Sequence, residues 1–455
     1  MRISRSTISL AVTALSALTL ACGGDDANNA NNNANNNTTN TGLDARITCE
    51  GGNCKVPVDS QPYTESMTWT KDKVWLLDAD GQAVVNVTIG SGATLTIEPG
   101  TTIKAVGQIA LVIDKGAKIM AEGTAAEPIV FTSAKAEGTR APGDWGGLII
   151  NGEAPANCSP CEGEGGSGAY GGDNATDNSG VLKYVRIEYG GNQITDEDQY
   201  NGLALQGVGS GTTIDYVHAH NTSDDGVEFF GGTANAKHLI ITNAGDDSMD
   251  WAFGWQGNVQ HVLIQQASNA GDRGIEADNN SNNPNIEPRS APVISHMTIC
   301  GRAEDQGILL RRGTAVQIWN SVVKGSLECL DVDGIPATFD QVTGGGITFA
   351  NTYFDCSTTF KMNDEQDGNM ATVDDADSNG AVNLATEISA TTNFNEADPG
   401  VPCGTATSPS WMPSAGAAVS SGGMAPSGSF FDAATHIGGM AVGNDWAAWT
   451  SFSAN

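Results

Sequence analysis

Six short segments in the middle of the chain place apolar and polar residues in the same order: LKYVRI (182–187), IDYVHA (214–219), AKHLII (236–241), VQHVLI (259–264), ISHMTI (294–299) and IWNSVV (318–323). The third residue of each is Tyr184, Tyr216, His238, His261, His296 and Asn320, at separations of 32, 22, 23, 35 and 24 residues. A base period of 22 to 24 with two longer insertions is the mark of a solenoid. Strict alternation inside each segment, as in Val185 and Ile187 or Val262 and Ile264, is a strand period, and no helical stripe separates the segments. A second strand recurs once per coil in NGLAL (201–205), DGVEF (225–229), DSMDW (247–251), RGIEA (273–277) and QGILL (306–310). Two strands with Gly, Asn and Asp corners predict one turn of a parallel β-helix. Nearer the N-terminus, IGSGATLTIEPGT (89–101) is echoed by IDKGAKIMAEGT (113–124) at 24 residues.

In a parallel coil, equivalent residues stack about 4.8 Å apart, so a position that recurs with the period becomes a column. Tyr184, Tyr216, His238, His261, His296 and Asn320 form one outward column, read as ring stacks that pin register or, at His238 and His261, as ligand-binding imidazoles. Glu228, Asp250 and Glu276 form a second, because their neighbours Val227, Phe229, Met249, Trp251 and Ile275 face inward. Asp224-Asp225, Asp246-Asp247 and Asp272-Arg273 stand at the corners just before them. Stacked carboxylates repel one another unless a cation, an arginine or protonation relieves them.

Three readings follow for this acidic column. Asp225, Glu228, Asp247 and Asp250 are candidate Ca²⁺ ligands, since calcium takes several carboxylate oxygens. The same four are candidate catalytic carboxylates, with Arg273 as charge partner or base. The third reading is a solvated acidic stripe eased by Arg273, Arg311 and Arg312. Tyr170, Tyr189, Tyr200, Phe230 and Trp255 are read as an exposed row on which sugar rings stack.

The 57 glycines among 455 residues fit a fold that turns every few residues. Asp and Glu number 53 against 21 Lys and Arg, a net charge of −32 that sets nucleic acid aside as a partner. Residues 1–21 have a basic start, an apolar run and Ala21-Cys22, the layout of an export signal ending at a lipidated Cys22. The Asn-rich tract 22–43 has no apolar pattern and reads as a tether from a membrane. Localisation at the bacterial cell envelope follows, with the lipid as the membrane contact. The eight remaining cysteines suit disulfides; Cys49 with Cys54 and Cys158 with Cys161 close small loops, and the pairing of Cys300, Cys329, Cys356 and Cys403 is open.

The runs LTIEPGTTIKA, AEGTAAEPIVFTSA, PGDWGGLIINGEAP and GVGSGTTIDYVHAHNTSDDGVEFFGGTANAKHLIITNAGDD, with the closing NDWAAWTSF, resemble bacterial surface or secreted proteins with a right-handed parallel β-helix of the pectin-lyase-like group. The resemblance covers residues from about 85 to the C-terminus and implies an all-β solenoid. It leaves the activity open, because the wider group holds lyases, hydrolases and adhesins. The paired aspartates of pectin hydrolases have counterparts in Asp224-Asp225 or Asp246-Asp247, but their Gly-His-Gly and Arg-Ile-Lys elements are missing.

The expected organisation is thus an N-terminal cap over 44–84, the β-helix over 85–360 and an irregular C-terminal cap over 361–455. That last segment is expected to return along the solenoid, with Phe430, Phe431, Trp446, Trp449 and Phe452 docking it over the open end as a cap. The function read from these features is a lipid-anchored surface protein that binds a glycan or another surface ligand along Glu228, Asp250 and Glu276. The alternatives are a calcium-dependent polysaccharide lyase or glycoside hydrolase, and an adhesive spacer without catalysis.

Overall fold

The structure is a computed structural model that describes residues 42–81, 86–195, 198–334, 336–361, 388 and 393–452; Cys22 and the tether before Thr41 lie outside the described residues. Its strands stack coil on coil into one 17-stranded and one 10-stranded sheet, almost wholly parallel, which is the expected β-helix. In the larger sheet Val185, Val217, Leu239, Val262 and Met297 hydrogen-bond in register and form one inward column. The smaller sheet aligns Leu203, Val227, Met249, Ile275, Ile308 and Leu330 in the same way. Both columns are buried in one continuous core running from Ile47 to Ile388.

Each six-residue segment also contains a kink that alternation alone does not predict. Leu182 and Val185 are both inward, three residues apart, which a flat strand forbids. The backbone solves this at the third position, where Tyr184, Tyr216, His238, His261, His296 and Asn320 all have positive φ, between 49° and 63°. Left-handed backbone is unfavourable for residues with a Cβ by roughly 1–2 kcal/mol each. Stacking offsets it: Tyr184 on Tyr216, Tyr216 on His238 and His238 on His261 lie 4.4, 4.1 and 4.9 Å apart, near the coil spacing.

The glycine of DGVEF, RGIEA and QGILL has a packing cause. It faces the opposite sheet, and a Cβ on Gly226 would stand 2.3 Å from Ile241 Cγ2 and 2.7 Å from the Ser248 carbonyl oxygen. Gly274 and Gly307 meet Ile299 and Val323 in the same way. Gly226→Ala should therefore cost about 1–3 kcal/mol, read as an earlier urea midpoint with an unchanged slope.

The solenoid begins earlier than residue 85. Asn53–Pro57 pairs in parallel with Val74–Asp78, and Met67–Trp69 with Thr94–Ile97, so the segment expected as an N-terminal cap already stacks as coils. Among the described residues of the larger sheet only Thr48–Glu50 departs from this, folding back antiparallel on Asn53–Pro57 beside the Cys49–Cys54 disulfide.

The C-terminal segment does not dock over the open end. It runs along the flank of the larger sheet, where Val401, Trp411, Val419, Ile437, Met440 and Ala447 cover the outward residues Ile240, Leu263 and Val322. Those three lie in one outward column, with Thr298 between Leu263 and Val322, and its apolar members need cover. The open pairing resolves accordingly: Cys300–Cys403 pins this strap to the flank, Cys329–Cys356 joins neighbouring coils, and Cys158–Cys161 closes its small loop.

Trp446 meets the Tyr216 and His238 rings edge-on, and His436 lies parallel to His261 with centroids 6.0 Å apart. Burial and neighbouring histidines push His261 down to about 2, and burial with His436 pushes His296 down to about 4. The charged groups around them are Asp215, Lys237 and Asp432. Both imidazoles fold in the neutral form, so their contribution is complete above the ordinary histidine value and is lost as the pH falls towards the folded values. Amide protection in the strap, taken relative to the intrinsic exchange rate at each pH, should fall between about pH 6.5 and about pH 4, with protection of the solenoid core unchanged.

Candidate functional site

The acidic column is real, and it lies in a cleft of 730 Å³ on the outer face of the smaller sheet. Glu228 pairs with Asp250 and Asp250 with Glu276 in the strand register, one carboxylate per coil. Asp225 and Asp247 enter one corner earlier, and the Asp247 amide donates to Asp225 Oδ1 at 2.9 Å. Asp224, Asp246 and Asp272 complete the rim. The sequence places these groups through one local rule: the inward glycine or Ser248 and the apolar residues after it force the intervening positions outward.

Arginines close one end. Arg273 contacts Asp272 at 2.8 Å and Glu276 at 2.7 Å, with Asp247 at 3.8 Å. Arg311 also pairs with Glu276 and reaches Asp278 at 2.9 Å, and Arg312 joins Asp278 at 2.5 Å. The relief expected of Arg273, Arg311 and Arg312 is thus present, but it is concentrated on Glu276 and Asp278.

Towards the other end the carboxylates lack such partners. Burial, with the Asp246 charge, pushes Asp224 up to about 7; burial, with the Asp272 charge, pushes Asp246 up to about 6. Asp250 rises to about 8 through burial and Asp278, despite Arg311. Asp225, Asp247 and Glu228 are likewise raised well above the usual carboxylate range, first by burial and then by each other's charge or that of their neighbours. Asp247 is 3 % exposed, and its Oδ1, like Oδ1 of Asp250, is buried without a hydrogen-bond partner.

Four sets of three carboxylates bring ligand atoms within 4.8 Å of one another: Asp224 with Asp225 and Asp246, Asp225 with Glu228 and Asp250, Asp246 with Asp247 and Asp272, and Asp247 with Asp250 and Glu276. The donors are all hard oxygens, which suits Ca²⁺ or Mg²⁺ and gives no preference to a transition metal. All four predicted calcium ligands, Asp225, Glu228, Asp247 and Asp250, belong to these sets.

Two expectations about this surface are corrected. His238 and His261 are on the larger sheet beneath the strap, with His238 Nδ1 2.8 Å from Asp215 Oδ1, and do not line the cleft. The five aromatics are not exposed: Tyr170, Tyr189, Tyr200, Phe230 and Trp255 show 6, 3, 0, 6 and 0 % of their surface. Tyr170, Tyr200 and Phe230 pack together under an inserted loop that carries the Cys158–Cys161 disulfide. Trp255 stacks on Phe229 in the core at 3.9 Å.

That loop supplies the group the sequence did not reveal. Glu164 lines the cleft from a short turn between the strands Glu162–Gly163 and Gly168–Ala169. Its turn is seated on the coils: the Gly165 amide donates to Asp198 Oδ1 at 2.7 Å, and Tyr200 donates its hydroxyl to the Gly165 carbonyl at 3.1 Å. A Cβ on Gly165, whose φ is 59°, would lie 1.8 Å from the Tyr200 ring. Gln199, beside Asp224, is a second lining residue without a periodic signal.

Compared with known proteins, the chain matches the family described as a pectate-lyase like beta helix domain over residues 62–412. No curated protein and no solved structure matches it. The match spans well over half of the 455 residues and coincides with the stacked coils and the cleft, so the chain belongs to the pectate-lyase-like β-helix family.

Proposed function

We propose that the cleft binds a divalent cation, Ca²⁺ in the first place, and with it a segment of extracellular glycan. The observation that carries this reading is the pair of buried, unpartnered oxygens on Asp247 and Asp250, set among carboxylates that burial disfavours as anions. A bound cation would supply the missing positive charge and leave coordination positions for sugar hydroxyls or carboxylates. Asp247 and Asp250 are its ligands in this account, with Asp225 and Glu228 lining the cleft beside them and Glu276 held by Arg273 and Arg311 at the arginine end, where an acidic sugar would be met.

The fold is compatible with lyase or glycosidase chemistry, and the raised carboxylates favour an enzyme as the second reading. The export-signal layout of residues 1–21 and Cys22 support a location at a bacterial cell envelope, with a lipid as the anchor in this reading. Among the described residues no helix is long and apolar enough to cross a membrane.

The test is equilibrium binding of the whole protein to immobilised neutral and uronic-acid polysaccharides, with Ca²⁺ and with EDTA. Retention of at least one polysaccharide that EDTA abolishes supports the reading. Retention of none, or retention indifferent to EDTA and to Glu228→Ala/Asp250→Ala, refutes it.

A further inference from the structure

Glu164 belongs to none of the four cation-sized sets, although it lines the same cleft. Its partner is instead Glu228, through a single side chain. The Asn201 amide donates one N–H to Glu164 Oε2 at 2.9 Å and the other to Glu228 Oε2 at 2.6 Å. The two carboxylate oxygens are therefore no farther apart than 5.5 Å, the sum of those bonds. With amide hydrogens diverging by about 120°, the separation is about 4.8 Å. Carboxyl pairs that cleave glycosides with retention stand about 5–5.5 Å apart, whereas inverting pairs need about 6.5–9.5 Å to admit a water.

We propose that Glu164 and Glu228 form the acid/base and nucleophile pair of a retaining glycoside hydrolase, an inference that rests on the glycan-binding reading of the cleft. Glu228 is fixed on a strand of the rigid stack and accepts from Asn201, which holds its carboxyl in place for attack. Glu164 comes from the inserted loop, which Asp198, Tyr200 and the Cys158–Cys161 disulfide hold in place. Burial, then the Asp224 charge, raises its carboxyl well above the usual range, which suits a proton donor. Three of the four cation sets leave both residues free, so a cation and this pair can occupy the cleft together. The unpartnered Asp247 Oδ1, 3 % exposed in the same cleft, independently calls for a ligand there.

In the first step the Glu228 carboxylate forms a bond to the anomeric carbon as the glycosidic C–O bond breaks, and Glu164 gives its proton to the departing oxygen. In the second, water attacks the anomeric carbon, its proton goes to the Glu164 carboxylate, and the Glu228–sugar bond breaks. Two half-reactions with inversion give a product of retained configuration, and both residues return to their starting states.

The experiment uses the whole protein with Ca²⁺, 4-nitrophenyl α- and β-glycosides of glucose, galactose, mannose, xylose, glucuronic acid and galacturonic acid, and the polysaccharides of the binding panel. The expected result is hydrolysis of at least one probe, with the first-formed anomer of the product, read by proton NMR, matching the substrate. Glu164→Gln should lower kcat/KM on an unactivated substrate by on the order of 10²–10⁴, with a much smaller loss of kcat/KM on the nitrophenyl glycoside, whose leaving group needs no acid. Glu228→Ala should be inactive, and azide should revive it to give a glycosyl azide of inverted configuration. Inverted hydrolysis products, full activity of Glu164→Gln, or no turnover of any probe overturn the pair. Loss of Ca²⁺ binding in Glu164→Gln also overturns it, making Glu164 a cation ligand. Polysaccharide retention without turnover refutes this inference alone, whereas absence of both retention and turnover refutes the binding reading as well.

Discussion

In EDTA the melting temperature of this protein should fall as the pH rises from about 5 to about 8, and Ca²⁺ should abolish most of that fall. The sign follows from Asp246, Asp224 and Asp250, whose folded values are pushed up to about 6, 7 and 8. A carboxyl whose folded value is raised contributes fully below its unfolded value near 4 and loses that contribution as the pH passes through the folded value. Between those limits the empty cleft must either hold protons or carry unrelieved charge. A divalent cation replaces the protons, so calcium should stabilise strongly at about pH 8 and weakly at about pH 5. Differential scanning calorimetry across this range, with Ca²⁺ and with EDTA, measures the effect, and a few kcal/mol corresponds to several degrees. Curves in EDTA that stay level or rise with pH would contradict the electrostatic account.

Asp250→Asn is the second large effect, and its two consequences have opposite signs. Asp250 is in register with Glu228 on one side and Glu276 on the other, and its Oδ1 is buried without a partner. Replacing it with a neutral amide of the same shape removes one buried charge from the column. The variant should therefore melt higher than the wild type in EDTA near pH 8, by at least about one degree, an expectation of at least about 1 kcal/mol for a chain of this size. Its Ca²⁺ affinity should drop by at least about tenfold, because two of the four carboxylate sets lose a member. Gain of stability with loss of binding separates a site from a structural ion pair, whose disruption would lower both.

Much of this was legible in the sequence because a solenoid repeats its physics. Period and alternation placed Val185, Val217, Leu239, Val262 and Met297 in one inward column, and the same rule turned Glu228, Asp250 and Glu276 outward together. Residues outside the period were not readable in this way. Glu164 lies in a Gly-rich insertion with no counterpart on neighbouring coils, and it reaches the cleft only through tertiary contacts of Gly165 with Asp198 and Tyr200. The same insertion buries Tyr170, Tyr200 and Phe230, which a strand pattern alone turns outward to solvent. The flank position of the strap had a trace in the sequence: Leu239-Ile240-Ile241 and Val262-Leu263-Ile264 are apolar on both faces of the strand. Such double-sided runs mark a sheet covered outside as well as inside.

The cleft also shows how charge is distributed along a stack. Where arginines recur, at Arg273, Arg311 and Arg312, the carboxylates Glu276 and Asp278 are paired. Two coils earlier the corresponding positions are Asp225 and Glu228 without an arginine, and the carboxylates there are raised. A stack that needed only a stable register would not retain unpaired buried acids at successive coils, since hydrophobic or neutral replacements there are neutral or stabilising.

Calorimetric titration of Ca²⁺ into the whole protein at about pH 7.5, beside the Asp247→Asn/Asp250→Asn variant, tests the central claim most directly. The account predicts saturable binding to the wild type with release of protons, seen as a heat that depends on the buffer, and none to the variant. Absence of binding to the wild type, or equal binding to the variant, would contradict it.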